Sequence, residues 1–372
     1  VRVAILGTRG IPARYGGFET FAEELSRRLV ARGHQVTVYT RRHLVPERLS
    51  EYQGVRLVLL PCLRQKHLET LSHTLLSVLH LSRKDYDAVL LCNAANAPLL
   101  PLLHAKGLPV ALNVDGLERK RRKWGWLGRR YYLWCEALSA RWADQLITDA
   151  RAIQRYYRRV WRRESAMIPY GGDLAWPQSH ETLNTWGLKP RGYVLYVSRF
   201  EPENNPDRVL LAYRQVPGDV PLVMVGGAPY ARSLTRRVQE LAAGDRRVVL
   251  TGPVYGQGYR ELMAAALAYI HATEVGGTHP ALVEAMGAGQ VVFYLQNREN
   301  REVVGDAGLG FSFVGSPSLE EQLARFLANP EAFQFLREKA KARVAAHYRW
   351  DQVAAAYEAL LEGMCCGKAP SS

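Results

Sequence analysis

Short, β-branched, near-continuous apolar runs alternate with segments of helical periodicity along this chain, and the alternation occurs twice. The first half carries VRVAILG, HQVTVYT, VRLVLLP, DAVLLCN, PVALNVD and DQLITDA, with a helix expected from about Glu19 to Val30. The second half carries YVLYVSR, PLVMVGG, RVVLTGP, AYIHAT, VVFYL and LGFSFV. Strands buried on both faces of a parallel sheet read as continuous apolar runs of this kind. Two doubly wound α/β domains are therefore expected. A length of 372 residues agrees, since single cores stop growing at roughly 250 to 300. The seam falls in MIPYGGDLAWPQS, Met167 to Ser179, where Pro and Gly crowd. The expected division is 1–168, 169–349, and a terminal segment 350–372 whose amphipathic helix, from about Trp350 to Met364, packs back on the first domain.

With 48% hydrophobic and 23% charged residues, the chain reads as globular and soluble. No apolar run approaches the ~20 residues of a membrane span, and no charged-then-apolar leader precedes VRVAILG. Cys62, Cys92, Cys135, Cys365 and Cys366 are odd in number and lack C-x-x-C spacing, so neither a disulfide framework nor a zinc site is indicated. A cytoplasmic location is expected, with acylation of the adjacent Cys365 and Cys366 as a weaker alternative.

The net charge of +14 is concentrated. Between Leu117 and Arg163 there are 14 Lys and Arg against four Asp and Glu, interleaved with Trp124, Trp126, Tyr131, Tyr132, Trp134 and Trp142. Basic helices with aromatic rims suit an anionic membrane surface. The same composition suits nucleic acid, or a solvated helix whose aromatic rings pack on their own domain. The candidate membrane patch is Arg121, Arg122, Lys123, Trp124, Trp126, Arg129 and Arg130.

Two glycine-rich stretches carry the ligand signal. GTRGIPARYGGFET, Gly7 to Thr20, lies between a strand and a helix whose apolar stripe is Phe18, Ala22, Leu25 and Leu29. Strand-to-helix turns of this type are where α/β sheets bind ligands, because glycine lets backbone N–H groups approach an anion at a helix N-terminus. The spacing matches neither G-x-G-x-x-G nor G-x-x-x-x-G-K-[ST], which argues against a dehydrogenase or a phosphate-loop nucleotidase. An ordinary glycine-rich surface loop is the plainer reading. HATEVGGTHPALVEAMGAGQVVFYL, His271 to Leu295, repeats the arrangement. Gly276 and Gly277 give bare backbone, Thr278 is the expected N-cap, Pro280 sits in the first turn, and Glu284 follows about a turn further in. An ionised carboxylate there suits a pair of ribose hydroxyls; the alternative is a glutamate that only complements the helix dipole.

EVGGTHPALVEAMGAGQVV, YVSRFEPENN, IPYGGD and GTRGIPARYGGFET resemble the retaining glycosyltransferases of family 4, whose GT-B fold sets two Rossmann-like domains face to face across a cleft. The opening motif and NVDGLERKRRKWG are most similar to the bacterial rhamnosyltransferases of polysaccharide assembly. The resemblance covers nearly the whole chain. It implies an N-terminal acceptor-binding domain and a C-terminal nucleotide-sugar-binding domain. By the resemblance, Glu284 holds the nucleotide ribose, Arg199 steadies the donor pyrophosphate, and Gly16 and Gly17 form the first domain's loop. Gly276, Gly277, Thr278 and His279 complete the expected donor contacts, while Tyr15, Phe18 and Glu19 are the expected acceptor contacts. Asp115 falls where the family usually has histidine beneath the sugar.

Three departures accompany the match. The family's glutamate eight positions before the ribose glutamate is Gly276 here, with Glu274 the nearest carboxylate. Its lysine after the arginine is absent, and Asn204 and Asn205 stand in that stretch. Asp115 replaces a donor with an acceptor. Expected catalytic residues are Asp115, Glu274 and Arg199, with no protein nucleophile, no cofactor and no metal. The one D-x-D spelling, Asp85 to Asp87, immediately precedes a strand and reads as a structural turn.

The expected activity is transfer of a sugar, first L-rhamnose from dTDP-rhamnose, to a lipid-linked glycan acceptor, at the inner face of a bacterial plasma membrane. A UDP- or GDP-hexose donor is the nearest alternative, followed by a sugar-nucleotide epimerase. A nucleic-acid-binding protein would explain the basic patch but leaves Glu284 and both glycine loops without a role, so nucleic acid is not expected as a partner.

Overall fold

The computed structural model describes residues 1–14, 16–46, 49–65, 68–227 and 231–366. The chain divides at Tyr170 and Gly171, inside the Pro- and Gly-rich stretch, into a unit of Val1–Tyr170 with the segment from Trp350, and a unit of Gly171–Arg349.

The first unit contains β1 (Arg2–Leu6), β2 (Gln35–Arg41), β3 (Glu51–Tyr52), β4 (Val55–Leu60), β5 (Ala88–Cys92), β6 (Val110–Asn113), β7 (Gln145–Thr148) and β8 (Ala166–Met167). Its helices are α1 (Gly17–Ala31), α2 (Glu69–His80), α3 (Leu100–Ala105), α4 (Trp126–Trp142) and α5 (Arg151–Val160). The strands form one sheet in the order β3-β4-β2-β1-β5-β6-β7-β8, parallel throughout except for the β3–β4 hairpin. Strand order reverses direction between β1 and β5, which is the topological switch point of this sheet.

The second unit contains β9 (Val194–Ser198), β10 (Leu222–Gly226), β11 (Val248–Gly252), β12 (Ala268–His271), β13 (Val291–Leu295) and β14 (Gly308–Phe311). Its helices are α6 (Pro206–Tyr213), α7 (Arg232–Ala243), α8 (Gly256–Ala265), α9 (Pro280–Gly287), α10 (Arg298–Val304), α11 (Leu319–Ala328) and α12 (Gln334–His347). The order β11-β10-β9-β12-β13-β14 is fully parallel and switches between β9 and β12.

Each sheet is covered on both faces, which is why its strands are apolar without alternation. In β1, Val3 and Ile5 enter one core with α1, while Ala4 and Leu6 enter the other with α4 and α5. In β9, Leu195 packs with α8 and α9, while Val194 and Tyr196 pack with α6 and α11. Fully burying an aliphatic or aromatic side chain contributes about 1.5–3 kcal/mol, so the two faces of each sheet hold each unit together.

The final helix, α13 (Trp350–Cys366), belongs to the first unit. Trp350, Val353, Ala354, Tyr357 and Leu361 share a core with Phe21 and Leu25 of α1. At the rim Arg28 pairs with Asp351, and Arg32 and His34 pair with Glu358. Helix α1 begins at Gly17, two residues before the helix expected from Glu19, because Gly16 adopts an extended conformation and serves as its N-cap.

Candidate functional site

In the first unit the loop after β1 sits at the switch point, beside the end of β5. Gly7 and Gly10 both have positive φ, 87° and 101°. A Cβ on Gly7 would lie 2.2 Å from the Cys92 carbonyl oxygen, and one on Gly10 would lie 2.2 Å from Thr40 Oγ1. These two glycines serve close packing against β5 and β2, whereas a Cβ on Gly16 would lie 3.3 Å from Glu19 Oε2. Helix α1 has no side-chain cap there. The Glu19 carboxylate is buried and accepts the Arg9 N–H at 3.0 Å, and Glu23 accepts the Ala13 N–H at 2.6 Å. Glu19 thus fastens the loop to the helix that follows it. Phe18 is half-buried and meets the Tyr170 ring edge-on at 6.4 Å. Tyr15 lies outside the described residues.

Asp115 follows β6 with φ 57°, a left-handed conformation uncommon for a residue with a side chain. Its N–H donates to Asn113 Oδ1 at 2.9 Å, and Tyr170 Oη donates to its carboxylate at 3.1 Å. Burial raises the Asp115 pKa above the ordinary carboxylate value, opposed by the positive charge of Arg121. Asn113 in turn donates to Tyr357 Oη of α13 at 2.8 Å, so the last helix helps fix the end of β6.

In the second unit, two loops meet at the β9–β12 switch point. Arg199 directly follows β9; its carbonyl accepts from Asn204 Nδ2 at 2.7 Å and its guanidinium lies 3.7 Å from Glu201. Asn204 and Asn205 are both buried. Asn205 Nδ2 donates to the Ala272 carbonyl at 2.9 Å and to Glu274 Oε1 at 3.1 Å, while the Glu274 N–H donates to the Glu203 carbonyl at 2.9 Å. The asparagines in the lysine stretch therefore brace the loops, and the Glu274 carboxylate is part of that brace.

The glycine stretch after β12 is buried at Gly276, Gly277 and Thr278. The N-cap of α9 is His279, one residue later than the expected Thr278, because Pro280 occupies the first helical position. The His279 side chain makes no cap hydrogen bond to this helix. Gly276 has φ 153°, and a Cβ on it would lie 2.3 Å from His279 Cε1. The imidazole fills the volume that a carboxylate at position 276 would need. His279 also packs against His271, with ring centroids 4.8 Å apart. Burial pushes the His271 pKa down to about 3, so it is neutral. Glu284 projects from the second turn of α9 and accepts a hydrogen bond from Tyr259 Oη of α8. Burial holds the Tyr259 pKa well above its ordinary value, so it stays a donor.

The basic segment divides when placed on the fold. Arg121 is buried against Glu118; Lys123 lies 3.7 Å from the same carboxylate, and Trp124 Nε1 donates to it at 3.3 Å while its ring packs on Tyr132. These residues support the segment that leads into α4. The exposed face holds Arg122, Trp126, Leu127, Arg129, Arg130, Leu133 and Trp134, with Trp126 69% and Trp134 51% exposed. Asp87 is bound by Arg2, which holds its carboxyl below the ordinary range, at the start of β5 and away from the loops described above.

Sequence reasoning leaves out Tyr259, Tyr170 and the Asn205–Glu274 contact. Their partners lie 25, 55 and 69 residues away, and no local spacing encodes them. Chemically, the second unit offers a helix N-terminus, a guanidinium and a braced carboxylate on adjoining loops. That set suits a nucleoside diphosphate.

Residues 16–171 match the family model described as glycosyl transferase 4-like domain, and residues 183–343 match glycosyl transferases group 1. The O-antigen chain mannosyltransferase B of Escherichia coli is 26% identical over 171 residues, 45% of this chain and 41% of that protein. The match thus spans about two fifths of that relative. Sucrose-phosphate synthase from Thermosynechococcus elongatus superposes with a TM-score of 0.82 at 19% identity, over 99% of this chain and 100% of that one. HepE of Anabaena, solved with UDP-glucose, gives 0.76 at 17% identity, over 97% and 99%. WaaG, a glycosyltransferase involved in lipopolysaccharide biosynthesis, gives 0.70 at 18%, over 98% and 99%. At these identities the structural likeness establishes the fold.

Proposed function

We propose, from the premise that this chain belongs to the GT-B glycosyltransferases, that it transfers a hexosyl group from a nucleoside diphosphate sugar to a glycan acceptor. The observation that carries this reading is Glu284, half-buried one turn inside helix α9 and oriented by Tyr259. A carboxylate so placed accepts hydrogen bonds from two ribose hydroxyls while the helix N-terminus faces the phosphates. Our first candidate donor is dTDP-L-rhamnose and our first candidate acceptor a lipid-linked glycan, on the resemblance of the opening motif. A UDP-hexose donor is the second reading, favoured by the structural neighbour solved with UDP-glucose.

In the proposed reaction the acceptor oxygen bonds to the anomeric carbon as the bond from that carbon to the β-phosphate oxygen breaks. The acceptor proton passes to a phosphate oxygen on the same face, so configuration is retained and no covalent enzyme intermediate forms. The protein's task is to neutralise charge developing on the leaving phosphate. Arg199 and the backbone N–H groups of Gly277 through His279 take that task. Asp115, as a hydrogen-bond acceptor, reads a sugar hydroxyl, and the loop at Gly16, Gly17 and Phe18 holds the acceptor sugar.

The exposed face of α4 is the proposed membrane contact, since tryptophans beside arginines suit an anionic surface. No helix among the described residues is long and apolar enough to cross a membrane. Co-sedimentation with anionic liposomes is expected to fall at least tenfold in Trp126→Ala/Trp134→Ala, and equal binding to neutral liposomes contradicts the assignment. For the reaction, NMR of the product's anomeric proton is expected to show the donor's configuration. An inverted product contradicts the proposed chemistry.

A further inference from the structure

The C-terminal ends of β1, β2 and β4 assemble a cluster that the reaction above does not use. Arg9 comes from the loop after β1, Arg41 ends β2, His43 follows it, Cys62 lies just after β4 and Glu69 opens α2. One carboxylate is shared three ways: Glu69 lies 3.1 Å from Arg41 Nη1, 3.4 Å from His43 Nε2 and 3.5 Å from Arg9 Nη2. Arg41 is only 2% exposed; its Nη2 donates to Thr70 Oγ1 at 2.9 Å, and its Nε has no hydrogen-bond partner among the described residues. His73, on the next turn of α2, is fully buried.

Arg64 adds positive charge beside His43 and Cys62. Glu19 is the other carboxylate near Arg41, but it is already accepting the Arg9 N–H. Among the described residues, Arg9 and Arg41 share the Glu69 carboxylate at strand ends, where α/β sheets bind ligands. A buried guanidinium with an unfilled N–H is costly unless an acceptor completes it, and planar oxyanions fit its fork.

We propose that this cluster is an oxyanion subsite, which holds an anionic substituent of the acceptor, either a phosphate ester or a sugar carboxylate. The proposal rests on the reading of the first unit as acceptor-binding. A cation is a poor occupant: His43, Cys62 and Glu69 offer ligand atoms within 4.8 Å of one another, but two guanidiniums already compete for the same carboxylate.

The test is thermal unfolding of the full chain titrated with inorganic phosphate and, separately, with D-glucuronate, both with saturating nucleoside diphosphate present so that the donor site is filled. Phosphate also stabilises folded chains by general exclusion, so the comparison between variants is decisive. A saturable rise in Tm with at least one oxyanion is expected, weakened at least tenfold in both Arg9→Gln and His43→Gln. Whether phosphate or glucuronate gives the rise identifies the substituent. Circular dichroism checks folding of each variant, and Arg41→Lys, which keeps the charge but loses the fork, is expected to be intermediate. No saturable rise, or a rise equal in wild type and both variants, overturns the proposal. A rise with Zn²⁺ alone that is lost in Cys62→Ser also overturns it. Failure of the donor reading has its own signature, a wild-type protein that no nucleoside diphosphate stabilises.

Discussion

At the residue scale, the contact between Glu284 and Tyr259 offers a way to tell the proposed ribose-binding carboxylate from one that only complements a helix dipole. Tyr259→Phe removes the donor that orients Glu284 without removing its charge. Hydrogen bonds to charged groups contribute about 1.5–3 kcal/mol, so nucleotide affinity is expected to fall about ten- to a hundredfold by calorimetry, with little change in overall fold by circular dichroism. An unchanged affinity would assign Glu284 to the dipole. Gly276 makes a second residue-scale case. Gly276→Glu places a carboxylate where the family pattern has one, yet it is expected to impair donor binding, because His279 fills the volume and a φ of 153° costs a residue with a side chain about 1–3 kcal/mol. Retained affinity in that variant would show that the imidazole yields readily.

Asp115 gives a pH prediction. Its folded pKa lies above its unfolded one through burial, so the native state binds the proton more tightly. Its contribution to stability is fully present below the ordinary value near 3.8 and is lost as pH rises through the raised value. Asp115→Asn is expected to flatten this part of the stability–pH curve, measured by urea midpoints between acid and neutral pH, and an unchanged slope would place the proton elsewhere.

At the element scale, the twelve apolar runs all form strands, because a strand buried on both faces declares itself by composition alone. The strands β3 and β8 have two residues each, too short for any periodicity to register. The apolar stripe of α1 is likewise legible, while the function of its preceding glycines is legible only in part. Gly7 and Gly10 answer to Cys92 and Thr40, and nothing near them in sequence announces those neighbours. The docking of α13 rests on Phe21 as its central contact, with the Tyr357 ring 5.2 Å and the Tyr170 ring 5.3 Å away. Phe21→Ala is expected to cost about 3–5 kcal/mol in chemical denaturation. Tyr357→Phe leaves the buried Asn113 amide without its acceptor and is expected to cost about 1–3 kcal/mol. Losses below 1 kcal/mol in both would mean that α13 is only loosely held.

For the whole molecule, each unit presents its glycine loop after a strand at its own switch point, and that placement follows from strand order rather than from any motif. The chain positions of Arg199, Glu274 and Glu284 are legible in the sequence, but what each side chain is committed to is not. Arg121 shows the limit well: within a basic run it reads as surface, and the fold turns it inward onto Glu118. Charge runs carry no periodicity strong enough to mark which member faces the core. The cluster of Arg9, Arg41, His43 and Glu69 is invisible in the sequence as well, since two strand ends and a helix start supply it.

The central claim is that the second unit binds a nucleoside diphosphate sugar through Glu284. Its most direct test is thermal unfolding, without added metal, against UDP, GDP, ADP, dTDP, UDP-glucose and dTDP-rhamnose. A ligand that binds only the native state stabilises it by about 2.7 kcal/mol at a hundredfold excess over its Kd. The expected result is a clear rise in Tm with dTDP and dTDP-rhamnose that disappears in Glu284→Ala. A rise confined to UDP or GDP species would keep the site and replace the sugar, whereas no rise with any nucleotide, or one that survives in Glu284→Ala, would contradict the claim.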